Sequence, residues 1–76
     1  MDQVTIYTTP ACPWCHKVKD YLQNKGVTYR EVDVAKDQEA ATNLVSLTGQ
    51  RSVPVTAKGS SFVIGYDPGQ LDKILM

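Results

Sequence analysis

The chain has two cysteines, and they stand three positions apart as Cys12-Pro13-Trp14-Cys15. Thiols at this spacing close a disulfide within one helical turn. Such a short loop removes little entropy from the unfolded chain, so the pair suits a reversible two-electron couple better than a structural staple. A thiol attacks as its thiolate, and unpaired N–H groups at a helix start stabilise that charge. If a helix begins here, Cys12 occupies its N-cap and is expected to be the exposed nucleophile. Cys15 lies one turn inside, on the face carrying Val18 and Leu22, and is expected to be the buried resolving thiol. Pro13 stiffens the turn. Trp14 is either a surface aromatic for a partner or a core anchor.

Other chemistries fit less well. Zinc takes four ligands, and only Cys12, Cys15 and His16 are close in the sequence. Cys12-Pro13-Trp14-Cys15-His16 matches a haem-attachment spacing in form, yet the remaining methionines, Met1 and Met76, offer no internal second axial ligand. His16 tunes a thiol or simply meets solvent. Lys17 and Lys19 either favour a thiolate at long range or solvate their helix.

The elements that must hold this pair alternate. Val4 to Thr8 reads as a strand, followed by a helix from Pro13 that Gly26 ends. Val27 to Val34 is rich in Val, Thr and Tyr and reads as a second strand. Asp37 and Glu39 open a second helix with the stripe Ala40, Leu44 and Leu47, closed by Gly49. Val53 to Ala57 and Ser61 to Ile64 are short strands around Lys58-Gly59-Ser60, a hairpin signal. Asp67-Pro68 begins a last helix with Leu71, Ile74 and Leu75 on one side. The order is β-α-β-α-β-β-α, an α/β architecture in which the first two strands run parallel through a right-handed crossover. The expected fold is a four-stranded mixed sheet flanked by three helices.

Seventy-six residues are enough for a single domain spanning 1–76. Eight basic residues balance eight acidic ones, so no strong field invites nucleic acid or anionic lipid. Within that balance, residues 1–30 hold Lys17, Lys19, Lys25 and Arg30 against Asp2 and Asp20, a basic excess on the cysteine side. No apolar run approaches the ~20 residues of a membrane span, and the start of the chain reads as a strand rather than a signal segment. The expectation is a cytoplasmic protein, where a close cysteine pair is more often catalytic than structural.

Taken together, Ile6-Tyr7-Thr8-Thr9-Pro10-Ala11-Cys12-Pro13-Trp14-Cys15, Ser52-Val53-Pro54 and Gly65-Tyr66-Asp67 make the chain resemble the glutaredoxin family over essentially its whole length. The resemblance implies a thioredoxin fold. It implies a cis Pro54, although X-Pro bonds in folded proteins are cis only ~5–6% of the time. It also implies that the Val53 backbone pairs with an extended cysteine-containing ligand, with Gly65, Tyr66 and Asp67 completing a glutathione or substrate site. Where the family often has a lysine just before the motif, this chain has Thr9; Arg51 either substitutes for it or is a solvated loop charge. Asp67 matches the acidic residue that meets the glutathione amino group, and is equally a helix cap before Pro68. Phe62 to Pro68 resembles the redoxins that serve ribonucleotide reductase, which accept electrons from thioredoxin reductase.

The expected function is therefore a small dithiol–disulfide oxidoreductase. It carries electrons to disulfide-containing proteins or glutathione mixed disulfides, is reduced by glutathione or thioredoxin reductase, has no permanently bound cofactor and acts as a monomer. The alternative is a non-catalytic module in which Cys12 and Cys15 of two chains bridge zinc or an iron–sulfur cluster.

Overall fold

A computed structural model describes residues 3–50 and 52–75. The elements are β1 (Val4–Thr8), α1 (Pro13–Asn24), β2 (Tyr29–Asp33), α2 (Gln38–Thr48), β3 (Val55–Lys58), β4 (Ser61–Ile64) and α3 (Pro68–Leu75). They form one mixed sheet of order β2-β1-β3-β4. β1 runs parallel to β2, and β3 is antiparallel to both β1 and β4.

Alternation along the strands decides which helix covers which face. Ile6 stands opposite Thr56, and Thr56 opposite Val63, so these three side chains share a face. That face carries the main core: Val4, Ile6 and Val63 pack with Val18 and Leu22 of α1 and Leu71 of α3. Each such burial is worth about 1.5–3 kcal/mol, and together they fix α1 against the end of β1. The opposite parity, Val55 and Ala57 with Thr5 and Tyr7, faces the side where Ala40 of α2 lines a cleft with Thr5 and Tyr7.

Helix ends are closed by local chemistry. The Gly26 N–H donates to the Gln23 carbonyl and the Val27 N–H to that of Leu22, both at 3.0 Å, with Gly26 at φ +71°. This Schellman motif satisfies the last carbonyls of α1. It also explains why β2 is shorter than Val27 to Val34: Val27 is engaged in capping the helix. The Asp37 carboxylate accepts the Ala40 N–H at 3.1 Å and caps α2, and Gly49 closes that helix in the left-handed region. β3 begins at Val55 rather than Val53 because Pro54 has no N–H for the ladder. Its carbonyl instead accepts the Gly65 N–H at 2.7 Å.

Among the described residues, one buried side-chain group is unpaired. The Thr56 hydroxyl, on a fully buried side chain, has no hydrogen-bond partner. An unsatisfied buried hydroxyl costs about 1–3 kcal/mol, and valine has nearly the same shape. Thr56→Val should therefore stabilise the protein by about 1 kcal/mol in urea unfolding. An unchanged or lower midpoint would count against this account of the site.

Candidate active site

The site grows from the turn between β1 and α1. The Cys12 N–H donates to the Thr9 carbonyl at 3.3 Å, which folds the chain back before the helix. Cys12 is the N-cap of α1, and Pro13 follows at the first helical position, where a missing N–H costs nothing. The Cys12 Sγ accepts the backbone N–H of Cys15 at 3.2 Å. Sulfur thus takes the place that a serine or aspartate oxygen holds in an ordinary cap, and one of the unpaired helix donors points at it. Both cysteines are free thiols.

Burial separates the two sulfurs less than the spacing suggests. Cys12 is 9% exposed and Cys15 is 1% exposed, so the expectation of an exposed Cys12 needs correcting. Closing the cap pulls its side chain over the helix start, which leaves it the more accessible of two largely covered thiols. Cys15 lies on the same side of α1 as buried Val18 and Leu22, as its spacing predicts. Burial, and next the hydrogen bond with Cys12, push the Cys15 thiol up to about 12, against smaller opposing pulls from a backbone hydrogen bond with Thr9 and, least, from the Lys19 charge.

Two further loops lie at the same end of the sheet, since Val55 pairs with Tyr7 and with Ile64. Val53 is half-buried and Pro54 buried, and the peptide bond between them is cis. The hydrogen bond from Gly65 to Pro54 ties the second loop to the first. Gly65 lies at φ +80°, a backbone conformation that a side chain would strain. Tyr66 then meets Trp14, with ring centroids 6.3 Å apart and planes at 25°. Trp14 is 53% exposed, which removes the core-anchor reading. Tyr21 meets the Tyr66 ring edge-on, so three aromatic rings form a row that starts at Trp14, two residues after Cys12. The Asp67 carboxylate accepts the Gln70 N–H at 3.2 Å and so caps α3. Arg51 lies outside the described residues.

The two lysines after the motif have distinct places. The Lys17 ammonium sits 4.7 Å from the Trp14 ring centroid. Lys19 turns the other way and pairs with Glu31 of β2, Nζ to Oε2 at 3.0 Å. The Thr8 hydroxyl donates to the same oxygen at 3.1 Å. The bond to Glu31 raises Lys19 above the usual lysine range. A cleft of about 240 Å³ lies here, with Thr8, Cys15, Lys19 and Glu31 among its walls. Sequence reading missed Thr8 and Glu31 as neighbours of the motif, although Lys19 stands four residues after Cys15 and therefore shares its side of the helix. It likewise missed the lock between α1 and α3, where Asp72 accepts a hydrogen bond from Tyr21 and pairs with Lys25. Among the described residues, no three His, Cys, Asp or Glu side chains converge as a metal-ligand set.

A β2-β1-β3-β4 sheet with a dithiol at the first helix N-terminus defines a thioredoxin-fold thiol–disulfide oxidoreductase. The Glutaredoxin family model matches residues 4–63, and the chain belongs to that family. It is 36% identical over 72 residues to a glutaredoxin-like 8.6 kDa protein of the Clostridium pasteurianum rubredoxin operon, covering 95% of this chain and 96% of that one. Among solved structures, the Archaeoglobus fulgidus glutaredoxin superimposes with a TM-score of 0.89 at 28% identity, over 99% of this chain and 87% of its own. The NrdH-redoxin of Escherichia coli gives 0.85 at 30% identity, over 95% and 93%.

Proposed function

We propose that this glutaredoxin is a dithiol electron carrier for protein disulfides, with Cys12 as nucleophile and Cys15 as resolving thiol. The observation that carries the reading is the cap itself: Cys12 Sγ accepts a helix N–H, while Cys15 is buried one turn in. In the first step the Cys12 thiolate attacks one sulfur of a substrate disulfide. A Cys12–substrate bond forms, and the other substrate sulfur leaves as a thiolate that takes up a proton. In the second step Cys15 loses its proton and attacks Cys12 Sγ. The Cys12–Cys15 disulfide forms and the second substrate thiol departs, so two electrons have passed to the substrate. The Val53 backbone would pair with the strand bearing the attacked cysteine, beside the Trp14–Tyr66 rings.

For the reductant, the reading is thioredoxin reductase. Three features support it: Thr9 in place of a carboxylate-binding lysine, the Phe62 to Pro68 segment, and likeness to the Escherichia coli NrdH-redoxin, a glutaredoxin-like protein described as having a thioredoxin-like activity profile. Glutathione is the second reading, favoured by Asp67, whose carboxylate stands in the loop after Tyr66. The deciding measurement is NADPH consumption on a protein disulfide, coupled either to thioredoxin reductase or to glutathione with its reductase. Turnover should be substantial in the first system and near background in the second. In either system Asp67→Ala forfeits a helix cap worth about 1 kcal/mol, but only the glutathione reading expects a raised KM for glutathione. A coloured or zinc-loaded dimer, inactive in both systems, would replace the carrier reading with the metal-bridging one.

A further inference from the structure

The cleft behind the dithiol collects charge that the two-step exchange leaves unused. Cys15, His16 and Lys19 from α1 and Glu31 and Asp33 from β2 line it, with Thr8 at its inner wall. Cys12 faces Cys15 from the cap. The Lys19 side chain is 21% exposed and that of Glu31 43%, so the ammonium is the more sheltered partner. Thr8 and Lys19 both donate to the same Glu31 oxygen. This holds the lysine one helical turn from Cys15 instead of leaving it to swing into solvent.

We propose that Lys19 sets the rate and pH dependence of the resolving attack by Cys15, with Glu31 and Thr8 as positioning residues that hold its ammonium at the cleft. The inference rests on Cys15 being the resolving thiol. Its physical basis is that the attack requires a negative sulfur where burial disfavours one. Cys15 interacts through charge with Lys19 in the direction that favours the thiolate. An opposite charge beside a titrating group favours its charged form, and here the Lys19 charge works against the larger effects of burial and the Cys12 hydrogen bond. Part of the kinetic gain is lost because a thiolate becomes less nucleophilic as it becomes less basic, with a Brønsted slope of about 0.4–0.5. The net expectation is about threefold in rate for each unit by which the titration moves.

Stopped-flow reaction of the reduced protein with dithiobis-nitrobenzoate separates the two steps by colour. Cys12 releases one coloured thiolate as it forms a mixed disulfide, and Cys15 releases the second as it resolves it. In Lys19→Met the first phase should match wild type, while the second slows about threefold or more and its pH midpoint rises. Lys19→Arg should restore both. Glu31→Gln keeps a side-chain oxygen that can hold the ammonium but removes the compensating carboxylate, so its second phase should be no slower than wild type and its midpoint should fall. High salt should narrow the gap between wild type and Lys19→Met. His16→Gln, measured in parallel, isolates the imidazole on the same cleft and should leave the Lys19 effect intact. A Lys19→Met second phase that tracks wild type across the pH range overturns the proposal. So does equal slowing in Lys19→Met and Glu31→Gln with no shift in midpoint, which marks the pair as structural support. A wild-type protein that releases only one equivalent defeats the assignment of Cys15 as resolving thiol, a different failure from these two.

Discussion

Cys12→Ser should reduce protein-disulfide turnover to the level of the buffer control, whereas Cys15→Ser should stop turnover after one half-reaction. The asymmetry follows from the cap. A serine oxygen can still accept the Cys15 N–H, so the helix start survives, but a hydroxyl is no nucleophile toward a disulfide at neutral pH. With Cys15→Ser the attack proceeds and the mixed disulfide has no internal thiol to resolve it. Intact mass after mixing with a disulfide substrate should show a stable adduct on Cys15→Ser, mapped by peptide analysis to Cys12, and none on Cys12→Ser. An adduct on Cys15, or full turnover by Cys12→Ser, would falsify the role assignment. Because Cys12 is itself only 9% exposed, adduct formation should be faster with small disulfides than with folded proteins. The exception is a protein that makes use of the aromatic row that starts at Trp14.

How much of this site the sequence discloses depends on the range of the interaction. The cap geometry is local: four residues, a proline among them, dictate where the sulfurs stand, and the structure places Cys12 and Cys15 at the positions their spacing requires. β1 coincides with the expected strand because alternation there is unambiguous, and β4 because the Lys58-Gly59-Ser60 turn fixes where it starts. The ends of β2 and β3 shift because Val27 is recruited to close α1 and Pro54 cannot donate, both matters of hydrogen-bond partner rather than of hydrophobic pattern. The Trp14–Tyr66 contact joins residues 52 positions apart. Its existence is set by the docking of α3, not by any signal near either ring. The Thr8–Glu31–Lys19 cluster is of the same kind. Each residue alone reads as a solvated or strand residue, and only the parallel pairing of β1 with β2 brings Glu31 to the side of the sheet that α1 covers.

The buried Cys15 thiol also couples stability to alkaline pH. Unfolded, Cys15 titrates near the ordinary thiol value of 9.0, and folded it is pushed up to about 12, first by burial. Between those values the unfolded chain sheds the Cys15 proton while the folded protein keeps it. Since stability falls with pH wherever the native state binds more protons, the contribution is fully present below pH 9 and is lost progressively toward 12. At 1.36 kcal/mol per unit, the loss over the window is on the order of 2–4 kcal/mol, a large fraction of the 5–15 kcal/mol typical of a small domain. Urea unfolding of the reduced protein from pH 8 to 11 should show this decline. Cys15→Ala, with no thiol to ionise, should decline less, and the two curves should converge as pH rises. The oxidised protein, whose Cys15 sulfur carries no proton, should also lack this component. Parallel curves for the reduced protein and Cys15→Ala would mean that the buried sulfur takes up its charge at no cost. In that case the resolving attack would need no help from the cleft behind it.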